Sequence, residues 1–129
     1  MSVEEMRLVL TVDDLERAAT FFRDGLGLNQ LAMFENNGGR GLLLDAGHAT
    51  LELFDRQQAS AIDQIEVGRR VAGSMRLAFR TSDSESLAHR LESVGAELIA
   101  GPVETPWGDR NVRLVGPEGV QLTLFTPSW

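Results

Sequence analysis

Cysteine is absent from the 129 residues of the chain. Its absence excludes a disulfide framework, a thiolate metal site and a cysteine nucleophile. The sequence also lacks any run approaching the roughly 20 apolar residues that a membrane-spanning helix needs. The first residues, MSVEEMR, carry acids where a secretory signal has lysine or arginine before an apolar stretch. We therefore expect a cytoplasmic protein with no membrane partner.

Positive charge is scarce as well: 12 basic residues stand against 19 acidic ones, and the net charge is −7. Nucleic-acid binding depends on cationic contacts to phosphate, so we expect no nucleic-acid partner. An apolar content of 43% is ordinary for a globular protein, and the length suits one domain with its own core. We expect residues 1–129 to form that single domain.

The chain repeats itself at a spacing of 69 residues. MRLVLTVDDLERAATFF begins at residue 6, and MRLAFRTSDSESLAHRL begins at residue 75. Near the end of each half, LELF at 51–54 has a counterpart in LTLF at 122–125. Two similarities in the same order indicate an internal duplication.

Each half is predicted to contain a strand, a helix and three further strands, because alternating and helical apolar spacings follow one another in that order. In the first half we predict a strand at 6–12, a helix capped by Asp13 or Asp14 and ended by Gly25 and Gly27, strands near 30–35, 41–45 and 49–54, and a hairpin turn at 36–39. In the second half we predict a strand at 75–81, a helix opened by Ser82 or Asp83 and closed by Gly95, and strands near 96–100, 110–115 and 120–125. The modules therefore span about 5–54 and 74–126. The polar linker 55–73 is expected to hold a short helical turn around Ile62 and Ile65.

Two segments carry a resemblance to a known family: VDDLERAATFFRDGLGL at 12–28 and TPWGDRNVRLVGPEGVQLTLF at 105–125. They resemble the opening and closing segments of the vicinal oxygen chelate superfamily, which includes glyoxalase I, ring-cleaving dioxygenases, fosfomycin-modifying enzymes and bleomycin-binding proteins. The resemblance implies an α+β fold in which two tandem βαβββ modules form a curved, partly open mixed sheet around a cavity, with helices outside. It also implies a homodimer.

Enzymes of that family usually hold a divalent metal through residues of the first and last strands of each module. The matching positions here are Arg7, Glu52, Arg76 and Thr123. Only Glu52 is a strong ligand, because arginine stays protonated and two guanidinium groups repel a dication. A catalytic metal normally needs three protein ligands. We therefore predict no metal and no cofactor.

Strand alternation selects the residues that face the cavity, because side chains of opposite parity face opposite sides of a sheet. If the large aliphatic residues face the helices, the other side offers arginines, aromatic rings and small residues, a composition typical of ligand pockets. Trp107, in the loop TPWGDR, is expected to overhang the cavity mouth and stack on a planar ligand. The candidate ligand contacts are Arg7, Phe34, Glu52, Phe54, Arg76, Arg80, Trp107 and Thr123.

Several of these residues have a purely structural alternative. Glu52 could pair with Arg7 and fill the position that the metal has vacated. Trp107 could plug the sheet edge, and Phe34 and Phe54 could be plain core. The two histidines are expected in a turn at the sheet rim (His48) and on the solvent side of a helix (His89), and Trp129 is expected to make a dimer or packing contact.

Two functions follow from this pattern. The favoured one is a metal-free protein that sequesters a drug or natural product, aromatic or cationic, as the bleomycin-resistance branch does, with no catalytic residue. The alternative is a glyoxalase- or dioxygenase-type enzyme that uses Glu52 with or without a divalent metal. In the metal-free version Glu52 is the general base.

Overall fold

The computed structural model describes residues 2–128, so the contact predicted for Trp129 lies outside the described residues. The strands are β1 (Val3–Val12), β2 (Gln30–Asn36), β3 (Gly39–Asp45), β4 (Thr50–Asp55), β5 (Met75–Thr81), β6 (Glu97–Glu104), β7 (Arg110–Val115) and β8 (Gln121–Thr126). The helices are α1 (Leu15–Ala19), which continues as a π-helix (Thr20–Gly25), α2 (Arg56–Glu66) and α3 (Ser84–Glu92), with a 3₁₀ turn at Pro117–Gly119.

The eight strands form one mixed sheet in the order β2-β3-β4-β1-β5-β8-β7-β6. Within each half the first strand pairs in parallel with the last, β1 with β4 and β5 with β8. The halves join through the antiparallel pair of β1 and β5, where Leu8 faces Leu77. The predicted α+β fold with a curved sheet that is not closed into a barrel is confirmed.

Local sequence signals fix the starts of the module helices and the first hairpin. Asp14 caps α1 by accepting from the Arg17 amide at 3.1 Å, and Asp83 caps α3 by accepting from the Ser86 amide at 3.1 Å. The two caps are 69 residues apart, so the duplication extends to hydrogen bonding. Asn37 and Gly38 have φ of 51° and 82° and form the two-residue turn between β2 and β3 that asparagine and glycine favour.

The outer face of the sheet carries α1 and α3, as predicted. One buried cluster joins α1 to the first module through Leu15, Ala19, Leu42, Leu44, Leu51 and Leu53. A second joins α3 to the other module through Leu87, Ala88, Val112, Leu114 and Leu124. Val94 is exposed because α3 ends before it.

The predicted linker differs most from expectation. It holds an 11-residue helix rather than a short turn, and α2 is capped by Asp55, which accepts from the Gln58 amide at 2.7 Å. The helix lies on the concave face of the sheet, where Ala59 and Ile62 pack against Val9 and Phe54. Its buried residues are Gln58, Ala59, Ala61, Ile62, Asp63 and Glu66.

No helix within residues 2–128 has the length and apolar character that crossing a bilayer requires.

Candidate functional site

The central strands bring the predicted site residues of the concave face together. In the register of β1 with its two neighbours, Val9 lies between Glu52 on β4 and Arg76 on β5. Two positions earlier, Arg7 lies between Thr50 and Ala78. Thr123 of β8 faces Ala78, so the four positions of the family's metal ligands share one surface.

A buried ionic cluster, which we call the arginine network, joins α2 to this surface. Its central member is Arg113 on β7, whose side chain is 0% exposed. Arg113 Nη1 donates to Asp63 Oδ1 at 2.8 Å, and Arg113 Nη2 donates to Glu66 Oε1 at 2.8 Å. The amide of Asn111 donates to the other Glu66 oxygen at 2.9 Å. Both carboxylates of α2 are thus held by one guanidinium group of the sheet.

Thr123 connects Arg76 to the same network. Its hydroxyl accepts from Arg76 Nη1 at 2.8 Å and from Arg113 Nε at 3.1 Å, and it donates to Glu66 Oε1 at 2.9 Å. The Arg76 guanidinium also lies 5.8 Å from the ring centroid of Phe54. A threonine hydroxyl at this position therefore organises arginines.

Glu52 is buried beside the network and remains outside it. The residue is 8% exposed, and within residues 2–128 its carboxylate has neither a hydrogen bond nor an ion-pair contact. Burial raises the pKa of Glu52, and the nearby charges of Arg7 and Arg76 offset only part of that rise. A carboxylic acid of this kind takes up a proton more readily than an exposed one.

Arg7 does not pair with Glu52, so that alternative is wrong. Arg7 Nε instead contacts Glu5 Oε2 at 2.8 Å, and the Thr50 hydroxyl donates to the same oxygen at 2.8 Å. Burial alone would raise the pKa of Glu5, but these two hydrogen bonds and the charges of Arg7 and Arg80 together lower it. The guanidinium of Arg7 also lies 4.8 Å from the ring centroid of Phe125. Glu5, only two residues away, has taken the partner expected for Glu52.

The expected open cavity is largely filled. Beneath α2 only about 10 Å³ remains between Val9, Phe54 and Arg76, which is room for about one water molecule. At the end of the concave face beyond α2 an open groove of about 350 Å³ remains. That volume suits a small ligand. The groove is lined by Glu4, Glu5, Gly47, His48, Ala49, Thr50 and Arg80.

The remaining predicted contacts fall into two places. Trp107 is 42% exposed, and its indole N–H donates to Asp109 Oδ2 at 3.0 Å. Burial raises the pKa of Asp109, while the Trp107 hydrogen bond and the charges of Arg7 and Arg80 oppose the rise, so the loop lies near these arginines. Phe34 lies elsewhere: it meets Phe54 over Gly41, where an added Cβ would lie 3.2 Å and 2.9 Å from the two rings.

The two histidines lie where the sequence indicated. His48 is exposed in the turn before β4 and borders the groove. His89 is exposed on α3, and its Nδ1 lies 3.6 Å from Glu92 Oε1.

The candidates drawn from the sequence omitted four members of the arginine network: Asp63, Glu66, Asn111 and Arg113. A signal for two of them exists, because Asn111 and Arg113 alternate with the buried residues Val112 and Leu114 along β7. That alternation places them on the concave face. No comparable signal marks the acids of α2, because polar residues on a helix normally indicate its solvent side.

The residues present do not fit a metal ion. The four positions supply two guanidinium groups, one hydroxyl and one carboxylate, and the hydroxyl is already bonded to Arg76, Arg113 and Glu66. Among residues 2–128, no three histidine or acidic side chains are grouped so that they could hold a metal. Cationic side chains occupy the space in which a cation would need donors.

Comparisons with known proteins agree with this fold. The hypothetical protein BH1468 from Bacillus halodurans C-125 superposes with a TM-score of 0.73 at 18% identity, covering 100% of this chain and 97% of that one. Methylmalonyl-CoA epimerase from Mycobacterium tuberculosis gives 0.70 at 24% identity, covering 98% and 90%. Streptomyces coelicolor methylmalonyl-CoA epimerase in complex with 2-nitronate-propionyl-CoA gives 0.68 at 22% identity, covering 99% and 100%.

Among curated proteins no sequence matches the chain. The family model of the Glyoxalase/Bleomycin resistance protein/Dioxygenase superfamily matches residues 6–124, which is nearly the whole chain. The chain therefore belongs to the Glyoxalase/Bleomycin resistance protein/Dioxygenase superfamily.

Proposed function

We propose that the protein is a metal-free enzyme of this superfamily that moves a proton at a carbon atom next to a carbonyl group, with Glu52 as the general base. The observation that carries the proposal is the state of Glu52. It is a buried carboxylic acid without a hydrogen-bond partner among the described residues, and burial raises its pKa. A general base works best when its pKa lies near the working pH, and burial moves Glu52 in that direction.

The reaction needs only a proton and an electron pair to move. Glu52 removes the proton from carbon, and the C–H electron pair shifts to the carbonyl oxygen as an enolate. The guanidinium groups of Arg7 and Arg76, whose charges reach Glu52, supply the positive field that stabilises the oxyanion. Return of the proton from Glu52 to the former carbonyl carbon of an enediolate completes an isomerisation without a redox partner. Epimerisation also needs an acid on the opposite face of the enolate, because return by Glu52 to the same face restores the starting configuration.

The groove lies along the same strand as Glu52. Its floor includes Thr50, which precedes Glu52 by two positions on β4 and so presents its side chain on the same face about 7 Å away. Arg80 and Glu5 line the same groove, so a polar substrate group finds charged partners there.

The names of the structural neighbours support the reaction class. Two of the similar structures are methylmalonyl-CoA epimerases. Inverting one carbon atom requires a bond to that atom to break and form again, and removal and return of a proton is the simplest way to do so. This likeness favours the enzyme over the sequestering protein that we favoured from the sequence.

Solvent-deuterium exchange tests the proposal. Proton NMR in D₂O would follow exchange at the acidic carbon of methylmalonyl-CoA, of 2-substituted 3-oxo thioesters and of the glutathione hemithioacetal of methylglyoxal. We expect exchange in at least one probe, unaffected by a chelator and slowed about 100-fold or more by Glu52→Gln, since a general base contributes about 10²–10⁴.

Glu97→Gln is the matched control, because Glu97 is an exposed acid on β6. It should leave exchange unchanged. Exchange that proceeds equally well in Glu52→Gln, or no exchange with any probe, would refute the proposed function.

Capture of an aromatic guest without turnover remains a second candidate, and the exposed, anchored ring of Trp107 favours it. Calorimetric titration with aromatic antibiotics should show binding that Trp107→Ala weakens. The control is Phe21→Ala, because Phe21 is an exposed ring on the π-helix of the outer side.

We also propose that the protein is a cytoplasmic homodimer, and sedimentation equilibrium would test the dimer.

A further inference from the structure

We infer that the concave face contains a binding site for a small dicarboxylate, that Asp63 and Glu66 of α2 occupy this site in the absence of ligand, and that a dicarboxylate displaces the helix. The inference rests on the proposed function, because it names the class of substrate that would enter the space beneath α2, which we call the hollow. It follows from what α2 contacts.

The sheet side of the contact has the composition of an anion site. Arg113 presents Nε, Nη1 and Nη2 to two carboxylates, and Asn111 and Thr123 add an amide and a hydroxyl donor. The planar fork of donors on arginine matches the geometry of carboxylates. Because β7 and β8 are adjacent strands, these donors lie on one face of the sheet, where Thr123 Oγ1 and Gln121 Oε1 also accept from Arg113.

The two carboxylates supplied by α2 define the size of the ligand. Asp63 Oδ1 and Glu66 Oε1 bind the same guanidinium, each at 2.8 Å. Their acidic groups are therefore close neighbours, as in a molecule whose carboxylates are separated by one or two carbon atoms. The ligand charge also fits, because Arg76 and Arg113 together carry two positive charges beneath the helix.

The contact between α2 and the sheet is polar and incompletely satisfied. Three of the six buried residues of the helix are Gln58, Asp63 and Glu66. Gln58 Oε1 and Asn111 Oδ1 are buried and have no hydrogen-bond partner among residues 2–128. A soluble dicarboxylate can replace the ionic contacts one for one, whereas an apolar helix contact has no such substitute.

Displacement of α2 would also make room for a ligand on the concave face. Only about 10 Å³ remains beneath α2, next to Arg76 and Val9, and Val9 lies beside Glu52 in the sheet register. With α2 displaced, Arg76, Arg113 and Glu52 would line one continuous hollow. The helix could move at its C-terminal side, where exposed Gly68 has φ of 86° and follows the last turn.

Hydrogen–deuterium exchange of the amides of residues 56–72 tests the inference. Malonate, succinate and glutarate are the probes, and sodium chloride at equal ionic strength is the reference. We expect faster, saturable exchange in this segment alone, with a midpoint on the order of millimolar because the tethered helix competes at that effective concentration. Exchange that is equal in dicarboxylate and chloride, or faster throughout the chain, would overturn the inference.

Variants locate the effect at the site. Glu66→Gln removes one competing carboxylate and should lower the dicarboxylate midpoint about tenfold, because the fraction of open hollow increases. Arg113→Lys keeps the charge but loses the fork of donors, so it should raise the midpoint about tenfold or more. Glu97→Gln should behave as the wild type. If Arg113→Lys fails to fold, Glu66→Gln decides the matter, and an unchanged midpoint there refutes the inference.

Glu52→Gln separates this inference from the proposed function. Helix release needs no proton transfer, so this variant should release α2 at the wild-type dicarboxylate concentration. Release without turnover of any probe would leave the site in place and remove the proposed reaction. Turnover without release would remove the dicarboxylate site.

Discussion

Glu52 and Arg113 are both buried charged residues, yet their surroundings differ. Arg113 has carboxylates, a hydroxyl and an amide oxygen around its donors. Glu52 has no such partner within residues 2–128, and the charges of Arg7 and Arg76 act on it only through space. An unpartnered carboxylate costs folding free energy and is typically retained where chemistry needs it.

Glu52→Gln should therefore stabilise the protein at high pH. Because the pKa of Glu52 is raised in the folded state, its stabilising contribution is present below its unfolded pKa, about 4.3, and is lost as pH rises through the folded value. We expect the variant to gain on the order of 1 kcal/mol in the free energy of unfolding at about pH 8, because the neutral amide avoids the cost of burying a charge. Urea titrations over a pH series would measure it.

Glu5→Gln is the matched comparison for that experiment. The pKa of Glu5 is lowered through its bonds to Arg7 and Thr50, so Glu5 contributes stability above its unfolded pKa and loses it as pH falls through the folded value. Glu5→Gln should thus destabilise the protein at neutral pH, opposite in sign to Glu52→Gln. A loss of stability in Glu52→Gln that grows with pH would contradict this description of the site.

At the scale of elements, α2 determines whether the polar groups of the concave face are covered or open to a ligand. The neighbouring strands β7 and β8 supply the hydrogen-bond donors Arg113 and Thr123. The helix supplies the carboxylates that accept from them. Asp63 also accepts from the amides of Val71 and Ala72 at 2.8 Å and 2.9 Å, so it fixes the chain that leads to β5. Burial alone would raise the pKa of Asp63, but these bonds and two arginines lower it.

The position of α2 on the sheet depends on Gly39 at the start of β3. A Cβ at this position would lie 2.1 Å from the Gln58 backbone nitrogen and 2.4 Å from its Cα, so the helix would have to shift. We expect Gly39→Ala to lower the free energy of unfolding by about 1–3 kcal/mol, measured by urea titration, and to speed amide exchange in α2.

Gly73→Ala is the control for that substitution. An added Cβ there meets no atom of residues 2–128 within 4 Å, and Gly73 does not have positive φ. The alanine should therefore be neutral or stabilise by less than about 1 kcal/mol. Equal losses in the two variants would show that Gly39 does not set the position of α2.

Local and repeated signals allowed most of the framework to be predicted from the sequence. Alternation predicted the strands and their faces, and local sequence narrowed the caps to Asp13 or Asp14 and to Ser82 or Asp83. The structure selects Asp14 and Asp83. The position of α2 could not be predicted, because Gln58, Asp63 and Glu66 give the helix a polar character that favours solvent. The two acids are buried against Arg113, 50 and 47 residues away in sequence, and Gln58 bonds to Asn36, 22 residues away. Local patterns carry no such information.

The candidate site was predictable in outline only. Strand parity placed Glu52, Arg76 and Thr123 on one surface, and the register agrees. The partner of Arg7 was not predictable, because Glu5 and Glu52 are both acids within its reach and only geometry selects Glu5. The sequence also did not predict that the cavity is filled, because α2, which fills it, has the polar character of a solvent-exposed helix.

On the scale of the whole molecule, the architecture is that of the superfamily to which the chain belongs. The chain shares its fold with methylmalonyl-CoA epimerases across nearly its full length, and Arg7 and Arg76 stand at two of the four positions that the family resemblance assigned to metal ligands. One fold supports many chemistries through the residues placed on it. In this molecule the positive charge at these positions is carried by the side chains of Arg7 and Arg76.

The metal content of the purified protein tests that account most directly. After incubation with nickel, zinc, manganese or cobalt and removal of free ions, elemental analysis should find far less than one ion per chain. The substitution of Arg7 and Arg76 by histidine and of Thr123 by glutamate should increase it. One tightly held transition-metal ion per chain in the unaltered protein would contradict the account.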